Sequence, residues 1–236
     1  MKPDNPVILS TLILLLLVGG AAAQTRDWAI PEPEPATDLA TAGRNDYFIL
    51  EPGYAIELAG KEGRRAVSVT ILVTNETVTV DGVETRVVEE REWVGGKLVE
   101  VSRNFVAISK RTGNVYYFGE EVDDYGTRGE VVGHEGGWRA GVDGAKRGML
   151  MPGTPVVGAR YYQEHSPGRA MDRAEIVSVT ASEKTPAGAF TRCVQVVETN
   201  PLESGERETK VHAPGIGIIR DGSLRLVRYG VQKLNP

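Results

Sequence analysis

One stretch of the chain combines residue types at spacings that could do chemistry. Trp138-Arg139 is followed, across a glycine-rich segment, by Tyr161-Tyr162-Gln163-Glu164-His165, with Asp172 close behind. Aromatics, both charge signs and an imidazole beside a long loop are the ingredients of a binding site, because loops on a rigid scaffold present side chains that the core does not consume. Two carboxylates, Glu164 and Asp172, could serve as general acid and base in a hydrolysis if the fold held them at the separations that glycosidases use. The alternative is that these residues cover the end of a sheet and pair in salt bridges. The candidate binding residues are therefore Trp138, Arg139, Tyr162, Glu164, His165 and Asp172, and no catalytic residue is assigned.

Other patterns carry less. His134-Glu135-Gly136-Gly137-Trp138 begins like a zinc-protease motif, but Trp138 stands where the second histidine is needed, and two glycines weaken the helix that must carry it. The three histidines, His134, His165 and His212, have no metal-ligand spacing and read as independent surface or capping residues. Glu120-Glu121-Val122-Asp123-Asp124 is the densest acidic cluster. It lacks the alternating acids, mid-loop glycine and distal glutamate of a calcium loop, so it reads as a solvated strand end. Gly215-Ile216-Gly217-Ile218-Ile219-Arg220 has two glycines of a dinucleotide fingerprint but leads toward a strand, not a phosphate-binding helix. Cys193, in the apolar run Phe190–Val196, has only Arg192 as a charged neighbour and reads as a buried small hydrophobe. No metal and no cofactor is implied.

The chain that must position these residues has 236 residues, with 27 Lys+Arg against 32 Asp+Glu, a formal charge of −5. That balance argues against a nucleic-acid partner, which selects for a basic face. A single cysteine excludes an internal disulfide framework.

Residues 1–23 read as a secretory signal peptide: Lys2 near the start, an apolar run from Val7 to Val18, then small residues ending in Ala21-x-Ala23. Cleavage is expected after Ala23. The run is short for a membrane span, so no stable span is expected once the signal is removed, and the protein is expected to be exported to the periplasm or beyond. Residues 24–44, with Pro31-Glu32-Pro33-Glu34-Pro35, read as an extended, solvated linker. Residues 45–236 read as one β domain.

Within that domain the hydrophobic period is two. Tyr54, Ile56 and Leu58 alternate with Ala55, Glu57 and Ala59, and Val67, Val69, Ile71 and Val73 continue the pattern. Asp81-Gly82 between β-branched runs is a hairpin signal. On the return strand, Val83, Thr85, Val87 and Trp93 share one face, while Glu84, Arg86, Glu90 and Glu92 share the other, which is expected to be wet. Gly95-Gly96 and Lys110-Arg111-Thr112-Gly113 supply further turns, so the first half is an antiparallel meander. Residues 133–158 form a long glycine-rich loop in which Pro152 and Pro155 bar a central strand. Strands resume at 160–163, 174–180, 190–198, 208–212 and 224–229.

Three short motifs lie along this domain: Phe48-x-Leu50-x-Pro52-Gly53, Gly113-Asn114-Val115-Tyr116-Tyr117-Phe118-Gly119-Glu120 and Pro186-Ala187-Gly188-x-Phe190-x-x-Cys193. Together they resemble a family of uncharacterised secreted bacterial β-proteins over about residues 45–220. The resemblance implies export and an all-β fold, with an open, curved sheet of the kind that lipoprotein-carrier proteins have. It transfers no catalytic residue. In that family the turn before Gly113 is typically acidic, whereas here it is Lys110-Arg111-Thr112, which counts against a cation site at that turn.

The expected fold is thus all-β, a strongly curved antiparallel sheet or half-barrel meander with little helix. The expected function is a non-catalytic envelope or extracellular binding or structural protein, with an unidentified small molecule or envelope component as partner. Two alternatives stand beside it: a periplasmic carrier of a hydrophobic ligand such as a lipid, and a hydrolase using the Glu164/Asp172 pair. A concave face left unfilled separates the last two from a purely structural module.

Overall fold

The computed structural model describes residues 27–203, 205 and 207–232; the expected signal peptide and its cut site lie outside them. Among the described residues the only helix is a single 3-10 turn at Ala36–Asp38. Seventeen strands follow in chain order. The first three are short: β1 (Leu39–Ala40), β2 (Gly43–Asn45) and β3 (Phe48–Leu50). The meander comprises β4 (Tyr54–Glu62), β5 (Arg65–Val80), β6 (Val83–Val94), β7 (Lys97–Ser109) and β8 (Val115–Tyr125). Across the glycine-rich segment come β9 (Val131–Gly133), β10 (Trp138–Arg139), β11 (Gly148–Met151) and β12 (Arg160–Tyr162). The second half is β13 (Arg173–Thr185), β14 (Gly188–Thr199), β15 (Glu208–Ala213), β16 (Gly217–Asp221) and β17 (Leu224–Val231).

Fifteen strands make one antiparallel sheet in the order β10-β8-β7-β6-β5-β4-β17-β16-β15-β14-β13-β12, with β1 on β7 and β9 and β11 on β8; β2 and β3 pair separately. The two halves meet where β17 pairs with β4, setting Arg225 opposite Ala59 and Val231 opposite Tyr54. The sheet does not close into a barrel. Its free ends nevertheless approach each other, and a bridge between Lys146 and His165 (Lys146 N to His165 O 2.8 Å) spans the seam beside β11 and β12.

The expected hairpin at Asp81-Gly82 forms with φ of +49° and +73°, the left-handed pair that a two-residue turn matched to strand twist demands. Curvature arises at β-bulges, among them those between Val73 and Thr77 on β5 and between Asn104 and Val106 on β7, because an unpaired residue bends its strand and increases local twist. The all-β half-barrel is therefore as the two-residue periodicity implied. The strand β16 falls on the Gly215–Arg220 run itself, which the sequence reading places between strands.

The Pro/Glu segment departs from expectation. The described part of it, from Asp27 onward, is not a solvated linker but a strap packed on the sheet. Trp28 lies between two guanidinium groups, with Arg160 Cζ 4.1 Å and Arg173 Cζ 4.5 Å from its ring centre. Ala29 bridges to β12 (Ala29 N to Arg160 O 3.0 Å, Tyr162 N to Ala29 O 2.9 Å). Glu34 is buried and accepts hydrogen bonds from Ser109 Oγ (2.6 Å), Tyr116 OH (2.8 Å) and Thr112 Oγ1 (2.9 Å), with Arg111 3.6 Å away. Burial alone would raise its pKa, but these hydrogen bonds and the Arg111 charge hold it below the ordinary carboxylate value. Prolines keep the strap extended, and the extended backbone leaves Glu34 free to reach that cluster of donors.

The three short motifs occupy places where the backbone is constrained. Gly119, in the second of them, has φ of +120°, and a Cβ there would lie 2.1 Å from the Trp138 carbonyl oxygen. Only glycine lets β10 approach β8 this closely. The third motif forms the β13–β14 hairpin, with Thr185 opposite Gly188, and ends on Cys193, which is buried and unpaired with any other cysteine.

Candidate functional site

The concave face of the half-barrel is not filled by its own side chains. A cavity of about 460 Å³ remains in it, a size typical of small-molecule sites. One flank is apolar, with Tyr54 and Ile56 from β4, Ile71 and Val73 from β5, and Val88 from β6. The other flank is acidic: Glu90, Glu100, Glu120, Glu164, Asp172, Glu198 and, exposed at its margin, Glu203.

Strand register explains how the two flanks arise. Along β7 the residues facing the cavity run Glu100, Ser102, Asn104, Val106, from charged to apolar within one strand. Across the ladder, Glu90 lies opposite Ser102 and Val88 opposite Asn104, so the neighbouring strand keeps the same order. On β5, Ile71 pairs with Glu90 and Val73 with Val88. β6 and β7 thus contribute to both flanks, their successive inward residues lying two apart, whereas β4 and β5 supply only apolar ones.

This placement corrects two expectations. The face of β6 bearing Glu84, Arg86, Glu90 and Glu92 is not simply wet. Glu84 is exposed, but Arg86 is buried, where it donates to the carbonyls of Thr41 (2.9 Å) and Asn75 (2.8 Å), and Glu90 faces the cavity. Nor is 120–124 a uniformly solvated strand end. Glu121 points outward to Arg139, Asp123 accepts from Arg103 (3.0 Å), Val122 is buried, and Glu120 turns into the cavity.

Of the six candidate residues, three gather. Glu164 and Asp172 both line the cavity. The backbone holds them together, since the Gln163 and Glu164 amides both donate to the Asp172 carbonyl (2.8 and 3.0 Å). Trp138, 4% exposed, directs its indole Nε1 toward Glu164 Oε1 (3.4 Å) and meets the Tyr117 ring edge-on at 5.5 Å. The other three do not join them. Arg139 lies on the opposite face of the sheet, paired with Glu121 and stacked over Phe105 at 4.7 Å. Tyr162 and His165 pack on each other edge-on at 5.1 Å outside the cavity lining.

Residues not singled out from sequence complete the site. Lys210 lies inside it, bonded to Glu198 (2.8 Å) and 3.5 Å from Asp221. Burial would lower the Lys210 pKa, but Glu198 and Asp221 more than offset this and hold it well above its usual value. His212 is another lining residue and so not a surface histidine; burial, reinforced by Lys210, lowers its pKa to about 4. Its Nδ1 is shut off from solvent without a hydrogen-bond partner.

The remaining carboxylates have no cation of their own. Among the described residues, no ion pair reaches Glu90, Glu100, Glu120, Glu164 or Asp172. Burial pushes Glu90 up to about 7 against the pull of Lys210, with Asp221, Glu100 and Glu120 adding repulsion. Glu120 is likewise pushed up to about 7, by burial first, with Glu100 and Asp172 adding repulsion. Burial, then Glu120 and Asp172, hold Glu164 well above the carboxylate range, and burial followed by Glu198 raises Asp172. Close like charges in a dehydrated space favour shared protons over full ionisation. Among the described residues no group of histidine, cysteine and carboxylate side chains has metal-binding geometry, and no helix is long and apolar enough to cross a membrane.

No family model matches the chain, and comparison with curated proteins and with solved structures finds none that matches.

Proposed function

We propose that this chain is an exported, non-catalytic binding protein that holds a small molecule inside its half-barrel. The observation that carries the reading is the unfilled concave face: a cavity of about 460 Å³, lined by side chains from both halves of the sheet. A structural module would fill that space, since packed interiors leave few voids larger than a water molecule. The signal-like residues 1–23 and the acidic overall charge support export and the absence of a nucleic-acid partner.

The lipid-carrier alternative accounts for the apolar flank but not for the seven carboxylates on the other. The hydrolase alternative draws on the meeting of Glu164 and Asp172. That pair alone, however, leaves the apolar flank and the other carboxylates of the lining without a role. Binding is therefore the better account of the pair.

The test is uptake of N-phenyl-1-naphthylamine, a small apolar dye that brightens when dehydrated. The folded chain is expected to take it up saturably at one site. Ile71→Trp, which pushes bulk into the cavity from β5, is expected to abolish uptake while the protein still melts cooperatively. A folded wild-type chain that takes up no dye would overturn the proposal.

A further inference from the structure

We infer that the ligand is a cationic amphiphile: an organic ammonium group held at the Glu120, Glu164 and Asp172 carboxylates, with an apolar tail laid along Ile56, Val73 and Val88. This rests on the binding reading above and adds the chemical class of what is bound.

Four features of the cavity converge on this class. Among the described residues, no ion pair reaches five of its carboxylates, Glu90, Glu100, Glu120, Glu164 and Asp172. Of the two cations in the lining, Lys210 is spent on Glu198 and Asp221, and Arg169 directs Nη1 to the Gly137 carbonyl (3.0 Å) and not to a carboxylate. A ligand that brings a positive charge relieves the repulsion among Glu90, Glu120, Glu164 and Asp172, whereas an anion adds to it. The burial that raises the carboxyl pKa values is the same burial that strengthens an ion pair once a cation arrives.

Aromatic rings lie beside the carboxylates. Tyr117 and Trp138 meet edge-on at 5.5 Å, and Trp138 touches Glu164 through its indole nitrogen. Tyr117 lines the cavity and Trp138 backs it through Glu164, and an aromatic wall beside carboxylates suits ammonium groups that carry carbon substituents. The third feature is the order of residues along β7, from Glu100 through Ser102 and Asn104 to Val106, which grades the wall from charged to apolar over one strand. A bare metal ion would use only the first part of that wall, and no metal-binding group occurs among the described residues. Lastly, His212, with its buried Nδ1 unpartnered, lines the same cavity on the strand that bears Lys210, leaving an unmet polar contact next to the apolar surface. A molecule with one charged end and a long apolar body matches the first three, and a single polar group beside the tail would meet the fourth.

The experiment titrates the full chain, by calorimetry below the micelle threshold, with decyltrimethylammonium, decanoate, decyl glucoside and tetramethylammonium. The expected result is that decyltrimethylammonium binds at least tenfold more tightly than decanoate and decyl glucoside, and that tetramethylammonium, lacking the tail, binds at least tenfold more weakly than it. Glu164→Gln is expected to weaken decyltrimethylammonium about tenfold and decyl glucoside by a smaller factor. If decanoate or decyl glucoside binds as tightly as decyltrimethylammonium, the ligand class is overturned and the binding function stands. If none of the tailed probes binds, the binding function itself falls. The ranking is read on the unaltered chain, so it decides the matter even if the variant fails to fold.

Discussion

Replacing Glu90 with glutamine should remove part of the pH dependence of stability. Glutamine copies the shape of a neutral carboxyl group but cannot ionise. In the folded chain the Glu90 pKa is raised from 4.5 to about 7, chiefly by burial. At about 1.4 kcal/mol per unit, a rise of roughly 2.5 units amounts to about 3 kcal/mol. Between those two values the folded chain binds more protons than the unfolded chain, so this group makes stability fall as pH rises through the window. His212 works in the opposite direction. Its pKa is lowered from 6.5 to about 4, so the folded chain binds fewer protons there and its contribution grows as pH rises. The two windows overlap, and the wild-type profile alone would not separate them. The difference between E90Q and wild type does. Urea unfolding followed by tryptophan fluorescence should show little difference at about pH 4.5, and a gain for E90Q approaching about 3 kcal/mol above pH 8. Relaxation of Glu100 and Glu120 around the new amide makes that figure an upper bound. A difference that is flat with pH, or that favours wild type at pH 8, would refute the placement of an ionisable carboxyl group in a dehydrated cavity.

Three further outcomes follow from other parts of the structure. Glu34→Gln should cost about 2–3 kcal/mol by weakening charge-assisted hydrogen bonds to Ser109, Thr112 and Tyr116, and protease should then cut within residues 27–43; an uncut, equally stable variant argues against the strap. Because the Glu34 pKa is lowered from 4.5, its contribution is present above that value and lost as pH falls through the folded pKa, and an acid melt of wild type against E34Q reads this directly. Lys210→Met should cost about 3–5 kcal/mol, since it leaves Glu198 and Asp221 buried beside each other without their cation; a shift in urea midpoint equivalent to less than about 1 kcal/mol would show that the cavity rearranges freely. Gly119→Ala forces β10 away from β8, and in a background where Trp28 and Trp93 are phenylalanine, Trp138 emission should shift to the red, whereas an unchanged spectrum would mean that the β8–β10 approach is not tight.

The strands were legible because their cause is local. Alternation at Tyr54–Leu58 and Val67–Val73, and the Asp81-Gly82 turn, depend on residues a few positions apart. Much of the cavity was not, because its cause is register. Nothing near Glu90 in sequence distinguishes it from Glu84, yet one faces the interior and the other faces solvent. The bulge between Val73 and Thr77 shifts the pairing of β5 with β6 between those two positions, and no local pattern announces it. Glu164, Asp172 and Trp138 were found because they cluster around a loop; Arg139, one residue from Trp138, was misassigned because strand alternation sends it through the sheet. The strap was misread for a related reason. Pro-Glu alternation describes an extended backbone, but not the donors that Ser109 and Tyr116 place opposite Glu34. An acidic residue with no charged partner nearby in sequence was the available signal.

The pairing of β4 with β17 has a consequence for how the chain reaches this form. The strands β4 to β8 are joined by short turns and can assemble by themselves as they emerge, amino end first. The outer edge of β4, from Tyr54 to Ala59, then stays unsatisfied until β17 arrives from the far end of the described chain. For that interval the protein exposes a ready template for pairing with other chains, close to the apolar flank that will later line the cavity. The last strand to form is thus a guard against aggregation as well as the seam that joins the two halves, and the chain is most vulnerable while β4 waits for it.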